Sequence, residues 1–444
     1  MNQLMGGVMA VLGIYRAFPL VHGSQGCANY VKNTLAKHFK EPVEIATTGF
    51  YEISAIYGAS DIIESSIKNI LENRDPDLIV TMTTGLSEII GEDIQRELKR
   101  ISENIHKDNN GTYLVGVSTL SYRGTHIDGY NNTLKEIIKT ITEKNKEKNK
   151  KLEGNSLKSD KINIIPGFVN PGDVKEIKNI LRKMNIGYRL LTDITTLDRP
   201  LRLPKERFPK CEATVRDIEE SPNSKSTLSF GMEGIDGAKY LETLGVPSYN
   251  LKFPIGIENT NNFIKTLSNI SGQEIPESLW EDRGYAIDAI VDGNDVLRNK
   301  RVAIFGDPDK VIGLTNFAFE MGMEVVAVLS NTETPHFISE IKKISMENNG
   351  KITIFEGGDL YQLHNYIKKR PVDIIIGDYR GRYIANEERI PLLRVGFPVV
   401  DRHGYHRKPM LGYNGALRIA EDIINLLIES SEDYEGLSIF KNYY

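Results

Sequence analysis

Cysteine is nearly absent: Cys27 and Cys211 are the only two in 444 residues. Two thiols cannot build a disulfide framework for a protein of this size, so the chain reads as a resident of a reducing compartment, the cytoplasm. Positive charge is not in excess either. A formal net charge of -5 and a pI near 6.0 argue against a general nucleic-acid binder, which carries a basic face. No uncharged window reaches membrane-spanning length. The apolar stretch from Leu4 to Leu20 is broken by Gly6, Gly7, Gly13, Arg16 and Pro19, and reads as a buried helix followed by a strand. Familiar catalytic signatures are missing too: there is no Walker sequence, G-x-G-x-x-G, H-E-x-x-H, C-x-x-C or G-x-S-x-G.

What is present describes a soluble globular protein, 40% hydrophobic and 26% charged, long enough for two to three domains. Short β-branched runs alternate with amphipathic stretches, the pattern of α/β domains with mostly parallel sheets. A first unit has strands at Val43 to Ala46, Leu78 to Met82 and Tyr113 to Val117, with helical spacing over Ile62 to Leu71 and Glu88 to Leu98. The Lys-, Asn- and Glu-rich run from Glu143 to Asp160 reads as a solvated helix end entering a flexible connection. A second unit opens on Ile162 to Phe168, a strand closed by a Pro-Gly turn, followed by a helix over Asp173 to Met184. A third opens on Arg301 to Phe305. Three Rossmann-like domains follow, over 1–160, 161–299 and 300–412, with a C-terminal helix and tail over 413–444.

The third unit turns at Gly306-Asp307-Pro308-Asp309 into a helix over Val311 to Met321. Such a turn can aim N–H groups at phosphate, but two carboxylates beside it would repel the ligand, and helix capping by Asp307 or Asp309 is the better reading. His403 and His406 stand three apart without any companion zinc ligand, which favours hydrogen-bonding or interface roles.

The run His22-Gly23-Ser24-Gln25-Gly26-Cys27 carries the chemistry. A thiol after two glycines, in a segment continuing as Ala28-Asn29-Tyr30-Val31, belongs at a loop-to-helix junction, where free N–H groups and the helix dipole favour the metal-binding thiolate. An iron-sulfur cluster asks for four ligands, and Cys211 lies far away among charged residues. Two readings stand: Cys27 shares a cluster with a second protein, or it is a buried structural thiol in a turn made by its glycines.

That run, followed by His38-Phe39-Lys40-Glu41-Pro42, resembles the β-type subunits of nitrogenase component 1 and their cofactor-assembly relatives. The resemblance continues through Thr83 to Asp93, Gly124-Thr125-His126, Ile165 to Phe168, Gly306 to Asp309 and Gly396 to His403, covering nearly the whole chain in order. It implies the nitrogenase component 1 fold and an αβ or α2β2 assembly with an α-type partner, NifE-like or NifD-like, served by a NifH-like iron protein as electron donor. Neither a nucleic acid nor a membrane is implied as partner.

Departures from the catalytic pattern then matter. The resemblance implies three cysteines from each catalytic subunit around an eight-iron cluster, yet only Cys27 remains here. The first position falls near Asn2, the third is Gly85, and an assisting serine is replaced by Thr125. Thr83-Thr84-Gly85-Leu86-Ser87-Glu88 is instead similar to the NifN family, the β-type half of the scaffold on which the iron-molybdenum cofactor matures. That likeness implies Cys27 as the one β-side ligand of a four-iron four-sulfur cluster shared with the α-type partner, which mainly holds the cofactor precursor. Gly23 and Gly26 would allow close backbone approach, and Ser24 and Gln25 would hydrogen-bond the cluster sulfurs. Asp401 to Arg407 looks closer to catalytic β subunits. A β-like subunit of a nitrogenase or nitrogenase-like reductase therefore stands as the alternative, and whether the chain is itself a catalyst stays open.

Overall fold

The computed structural model describes residues 1–50, 60–89, 91, 93–105, 111–120, 122–150, 158–200 and 207–441. Three sheets, parallel throughout, organise them. The first contains β1 (Ala17–His22), β2 (Ala46–Thr47), β3 (Leu78–Thr83) and β4 (Tyr113–Val117) in the order β2-β1-β3-β4. The second contains β5 (Ile162–Ile165), β6 (Tyr188–Leu190), β7 (Ser226–Phe230) and β8 (Ser248–Leu251) in the order β6-β5-β7-β8. The third contains β9 (Arg301–Gly306), β10 (Glu324–Ser330), β11 (Thr353–Glu356), β12 (Ile374–Gly377) and β13 (Leu392–Arg394) in the order β11-β10-β9-β12-β13. This is the α/β architecture expected from the alternating runs. By compactness the chain divides into two units, 1–174 with 186–251 and 175–185 with 252–444; the first unit holds two sheets and the second holds one.

In the first unit, β1 and β3 pair in register from Ala17 with Leu78 to His22 with Thr83. Both strands are buried along their length, as expected of central strands covered on two faces. Phe18, Leu20, Ile79 and Leu114 pack with Ile63, Ile67, Ile70, Leu98 and Ile101 from the helices Ser60–Arg74 and Ile94–Ile105. The apolar N-terminal stretch forms the helix Gln3–Leu12 and then β1, as its interruptions suggested. In the second unit, Ala303, Phe305, Ala327 and Ile375 of the sheet pack against Leu363, Ile367 and Ile384.

Four local expectations need correction or restriction. The helical spacing over Glu88 to Leu98 does not make one helix: Gly85–Ile89 ends before Gly91, which takes φ +81°, and Ile94–Ile105 starts afresh where Asp93 accepts from Arg96 N at 3.1 Å. The strand placed at Val43 to Ala46 shrinks to Ala46–Thr47, because β1 offers this neighbour only Leu20 and Val21, just past Pro19 and its missing N–H. Asp307 occupies the N-cap position of the helix Pro308–Glu320 without a side-chain cap bond. Its carboxylate lies 3.6 Å from Lys310 Nζ, while Asp309 faces His336 at 3.5 Å, so ion pairing wins over capping. The helix His126–Lys150 absorbs much of the charged run after Glu143, and residues 151–157 lie outside the described set.

One buried carboxylate in the second unit carries a pH signature. Glu176 accepts from Asn179 Nδ2 at 3.3 Å and from Asn414 Nδ2 at 2.9 and 3.1 Å. Burial outweighs these neutral donors and pushes its carboxyl up to about 7. A folded-state value above the unfolded one means that the folded chain holds the extra proton. The contribution is therefore complete below about pH 4.5 and is lost as pH rises through about 7. Replacing Glu176 with Gln should leave stability nearly unchanged at pH 4 and raise it relative to wild type at pH 8, by up to about 3 kcal/mol. Paired urea titrations of the two proteins at both pH values measure this; equal differences at the two would refute it.

Candidate functional site

Parallel pairing brings the C-terminal ends of β1 and β3 to one edge of the first sheet, and the chain leaves both toward helices. After His22, two residues turn the backbone into the helix Gln25–Phe39. After Thr83, a single residue leads into the short helix Gly85–Ile89. Cys27 sits in the first turn of the longer helix, with Ser24 at the N-cap position in extended conformation. Its thiol is exposed. The reading of Cys27 as a buried structural thiol is therefore overturned: the helix turns this face outward, while Ala28, Val31 and Leu35 take the buried face.

Ser24 does not cap the helix with its hydroxyl. Cys27 N donates instead to Ser24 main-chain O at 3.2 Å, which leaves Ser24 Oγ to donate to Cys27 Sγ at 3.5 Å. A serine at this position ordinarily contributes about 1 kcal/mol by capping, so its use on sulfur is informative. Gln25 and Gly26 are exposed beside the thiol, and a Cβ on Gly26 would meet only Ser24 Oγ, at 3.8 Å. Gly23 is different. It is buried, and a Cβ there would overlap the Thr84 side chain, 2.9 Å from Thr84 Cβ. The requirement for glycine at this position thus comes from Thr84, a residue that the sequence motif did not connect with it.

His22 is fully buried, its Nδ1 3.2 Å from Thr48 Oγ1 and its ring edge-on to Phe50. Gly23 N donates to Thr48 Oγ1 at 3.3 Å, and Gly23 O accepts from Thr47 Oγ1 and Phe50 N at 3.1 and 2.9 Å. Thr84 and Ser87 approach from the other side. None of these neighbours was singled out for this role from sequence. The usable signal was the hydroxyl-rich run after a predicted strand, once that strand is known to lie beside β1.

The other positions that the resemblance brought forward have local duties. Asn2 caps the helix Gln3–Leu12, accepting from Met5 N at 3.2 Å. It also forms an isolated antiparallel bridge with Thr125. Thr125 donates from its hydroxyl to Asp128 Oδ2 at 3.1 Å. Gly85 opens its helix without a side chain. Cys211 is half-buried, with its thiol toward Ala213 O at 3.4 Å. In the second unit, among the described residues, His364, Glu387 and Glu388 bring potential ligand atoms within 4.8 Å of one another, but Lys368 Nζ lies 2.8 Å from Glu387 and makes this an ion-pair network. No helix among the described residues is long and apolar enough to cross a membrane.

The segments leaving the first sheet at this edge also expose large apolar side chains. Tyr30 lies one turn beyond Cys27, Leu86 and Ile89 project from the short helix, and Tyr122 follows β4. Exposed apolar groups grouped on adjoining segments suit contact with another protein better than contact with water.

Comparison with known proteins agrees with this architecture. Residues 2–428 match the family described as nitrogenase component 1 type oxidoreductase. The nitrogenase molybdenum-iron protein beta chain of Clostridium pasteurianum is 36% identical over 436 residues, covering 97% of this chain and 92% of that one. The nitrogenase vanadium-iron protein beta chain of Trichormus variabilis is 36% identical, covering 97% and 93%. The nitrogenase iron-iron protein beta chain of Rhodobacter capsulatus is 34% identical with the same coverage. The solved structure of nitrogenase Cp1 at pH 6.5 superposes with a TM-score of 0.91 at 36% identity, covering 97% of this chain and 93% of that one. The chain belongs to the nitrogenase component 1 type oxidoreductases and is of the β-chain type within that family.

Proposed function

We propose that this chain is the β-type half of a NifN-like cofactor-assembly scaffold, and that Cys27 is its single ligand to a four-iron four-sulfur cluster shared with an α-type subunit. The observation that carries the reading is the donor set at the sheet edge. Cys27 presents an exposed sulfur in the first turn of a helix, whereas Asn2, Gly85 and Thr125 offer no thiolate. One donor beside open space and exposed apolar groups fits a shared site and does not fit a cluster held by this chain alone. When bound, such a cluster supplies one-electron transfer, from a NifH-like iron protein toward a cofactor precursor held mainly by the partner.

This chain's own residues perform simpler tasks. Cys27 ligates from the first turn of its helix. Ser24 donates to that sulfur, while Gly23 and Gly26 keep bulk away from the approach and Gln25 lies beside it. The cytoplasm is the proposed location. The β-chain names of the relatives favour a second reading, a β-type subunit of a nitrogenase or a nitrogenase-like reductase. Co-purification with the α-type partner, metal analysis and a cofactor-maturation assay separate the two. The scaffold reading expects iron in the complex and activation of apo-nitrogenase by material matured on it. Substrate reduction by the complex without such transfer favours the reductase.

A further inference from the structure

Two buried hydroxyls converge on one carbonyl beneath the Cys27 turn. Thr84 Oγ1 donates to His22 O at 3.2 Å, and Ser87 Oγ lies 3.1 Å from the same oxygen. Ser87 and His22 are fully buried and Thr84 is nearly so. Ser87 Oγ also accepts from Thr84 N at 2.9 Å, a bond within the segment after β3, and it is the approach of both hydroxyls to His22 O that ties this segment to the loop after β1. In the middle of helices such hydroxyls usually turn back to a carbonyl of their own segment. Here Thr84 Oγ1 reaches across 62 residues of sequence, while Ser87 Oγ shares its one proton between Thr84 O in its own segment, at 2.9 Å, and His22 O, 65 residues away, at 3.1 Å.

The location makes this pair consequential. The β1–β3 ladder ends at His22 with Thr83, and the helix starts only at Gln25. Gly23 and Ser24 therefore lie beyond both sets of regular backbone bonds, and glycine is the residue with the widest choice of conformations. Ser24's hydroxyl is directed to sulfur and does not hold the helix start. What restrains the turn is a clamp, with Thr84 and Ser87 on the His22 carbonyl and Thr47 and Phe50 on the Gly23 carbonyl.

We propose that Thr84 and Ser87 are positioning residues that hold the Cys27 turn in ligating geometry before any cluster is present. The proposal rests on the reading of Cys27 as a cluster ligand. A ligand shared between two chains benefits from being arranged beforehand, because ordering the turn during assembly would subtract from the affinity of the site.

The test has two arms. In the full chain alone, Thr84→Val with Ser87→Ala should raise amide hydrogen exchange at Gly23 and Phe50 about tenfold or more, with Thr84→Ser near wild type because the hydroxyl is kept. The milder Ser87→Ala alone should raise it in the same direction and guards against a double variant that fails to fold. In the co-purified complex, the double variant should bind a cluster with a shifted reduction potential and a broadened electron paramagnetic resonance signal. Exchange and spectrum both unchanged would overturn the clamp. A wild-type complex without any cluster would overturn the ligand reading and with it the purpose of the clamp, an outcome distinct from unchanged exchange beside an intact cluster.

Discussion

Replacing Cys27 with alanine is expected to strip the four-iron spectrum from the complex with the α-type partner while leaving this chain folded. The thiol is exposed, outside the buried face of its helix, and alanine is an excellent helix former, so the change in stability should stay within about 0.5 kcal/mol. Loss of one of four ligands is a much larger perturbation for a cluster, whose irons are held by thiolates. Iron retained by the complex should fall at least about tenfold, the lower end of what even residues outside the ligand set contribute to metal affinity. Cys211→Ala serves as the control, since its thiol faces backbone carbonyls elsewhere in the unit. An unchanged spectrum in the Cys27 variant would sink the shared-ligand proposal, whatever the maturation assay says.

The second large effect concerns the fold that carries this edge. The helix Gln3–Leu12 lies against the helix His126–Lys150 so closely that two glycines face backbone. A Cβ on Gly129 would strike the Gln3 carbonyl and stand 2.6 Å from Gln3 Cα, and one on Gly6 would strike the His126 carbonyl and stand 2.6 Å from Tyr130 N. Backbone cannot rotate away as a side chain can, so the helices must separate and loosen buried Met5, Val8 and Met9. Alanine in a helix gains about 1 kcal/mol over glycine through propensity, but overpacking of this kind should cost more than about 3 kcal/mol. For a unit of this size Gly129→Ala should then lower the thermal midpoint by roughly 6–12 °C. Gly284→Ala isolates the propensity effect, because Gly284 lies in the exposed face of the helix Glu277–Asp292 with nothing within 4 Å. It should stabilise. Calorimetry on the two variants should move the midpoint in opposite directions, and a Gly129 variant as stable as wild type would mean that this close approach is not maintained in solution.

Strands such as Leu78–Thr83 and Arg301–Gly306 were readable because a buried parallel strand writes itself as a continuous β-branched run bounded by turn residues. Boundaries were less readable where two local signals compete. At Glu88 to Leu98 the apolar spacing runs through, yet Gly91 and Asp93 end one helix and begin another, and periodicity alone does not weigh a left-handed glycine against a cap. At Asp307 the residue type suits an N-cap, but Lys310 lies close enough to draw the carboxylate away, a choice that depends on side-chain placement.

The candidate site divides in the same way. That Cys27 opens a helix, that it stands almost alone as a thiol and that Gly85 provides no second one are all properties of the chain read in order, since helix starts and ligand identities are local. That Cys27 is exposed while His22 is buried, that Gly23 must lack a side chain because Thr84 needs its space, and that Ser87 shares a carbonyl with Thr84 were decided only in three dimensions. These facts depend on β1 lying beside β3 in one particular register. Such pairing is settled by burying both strands within a common core, a property of the whole unit that no short run of residues encodes.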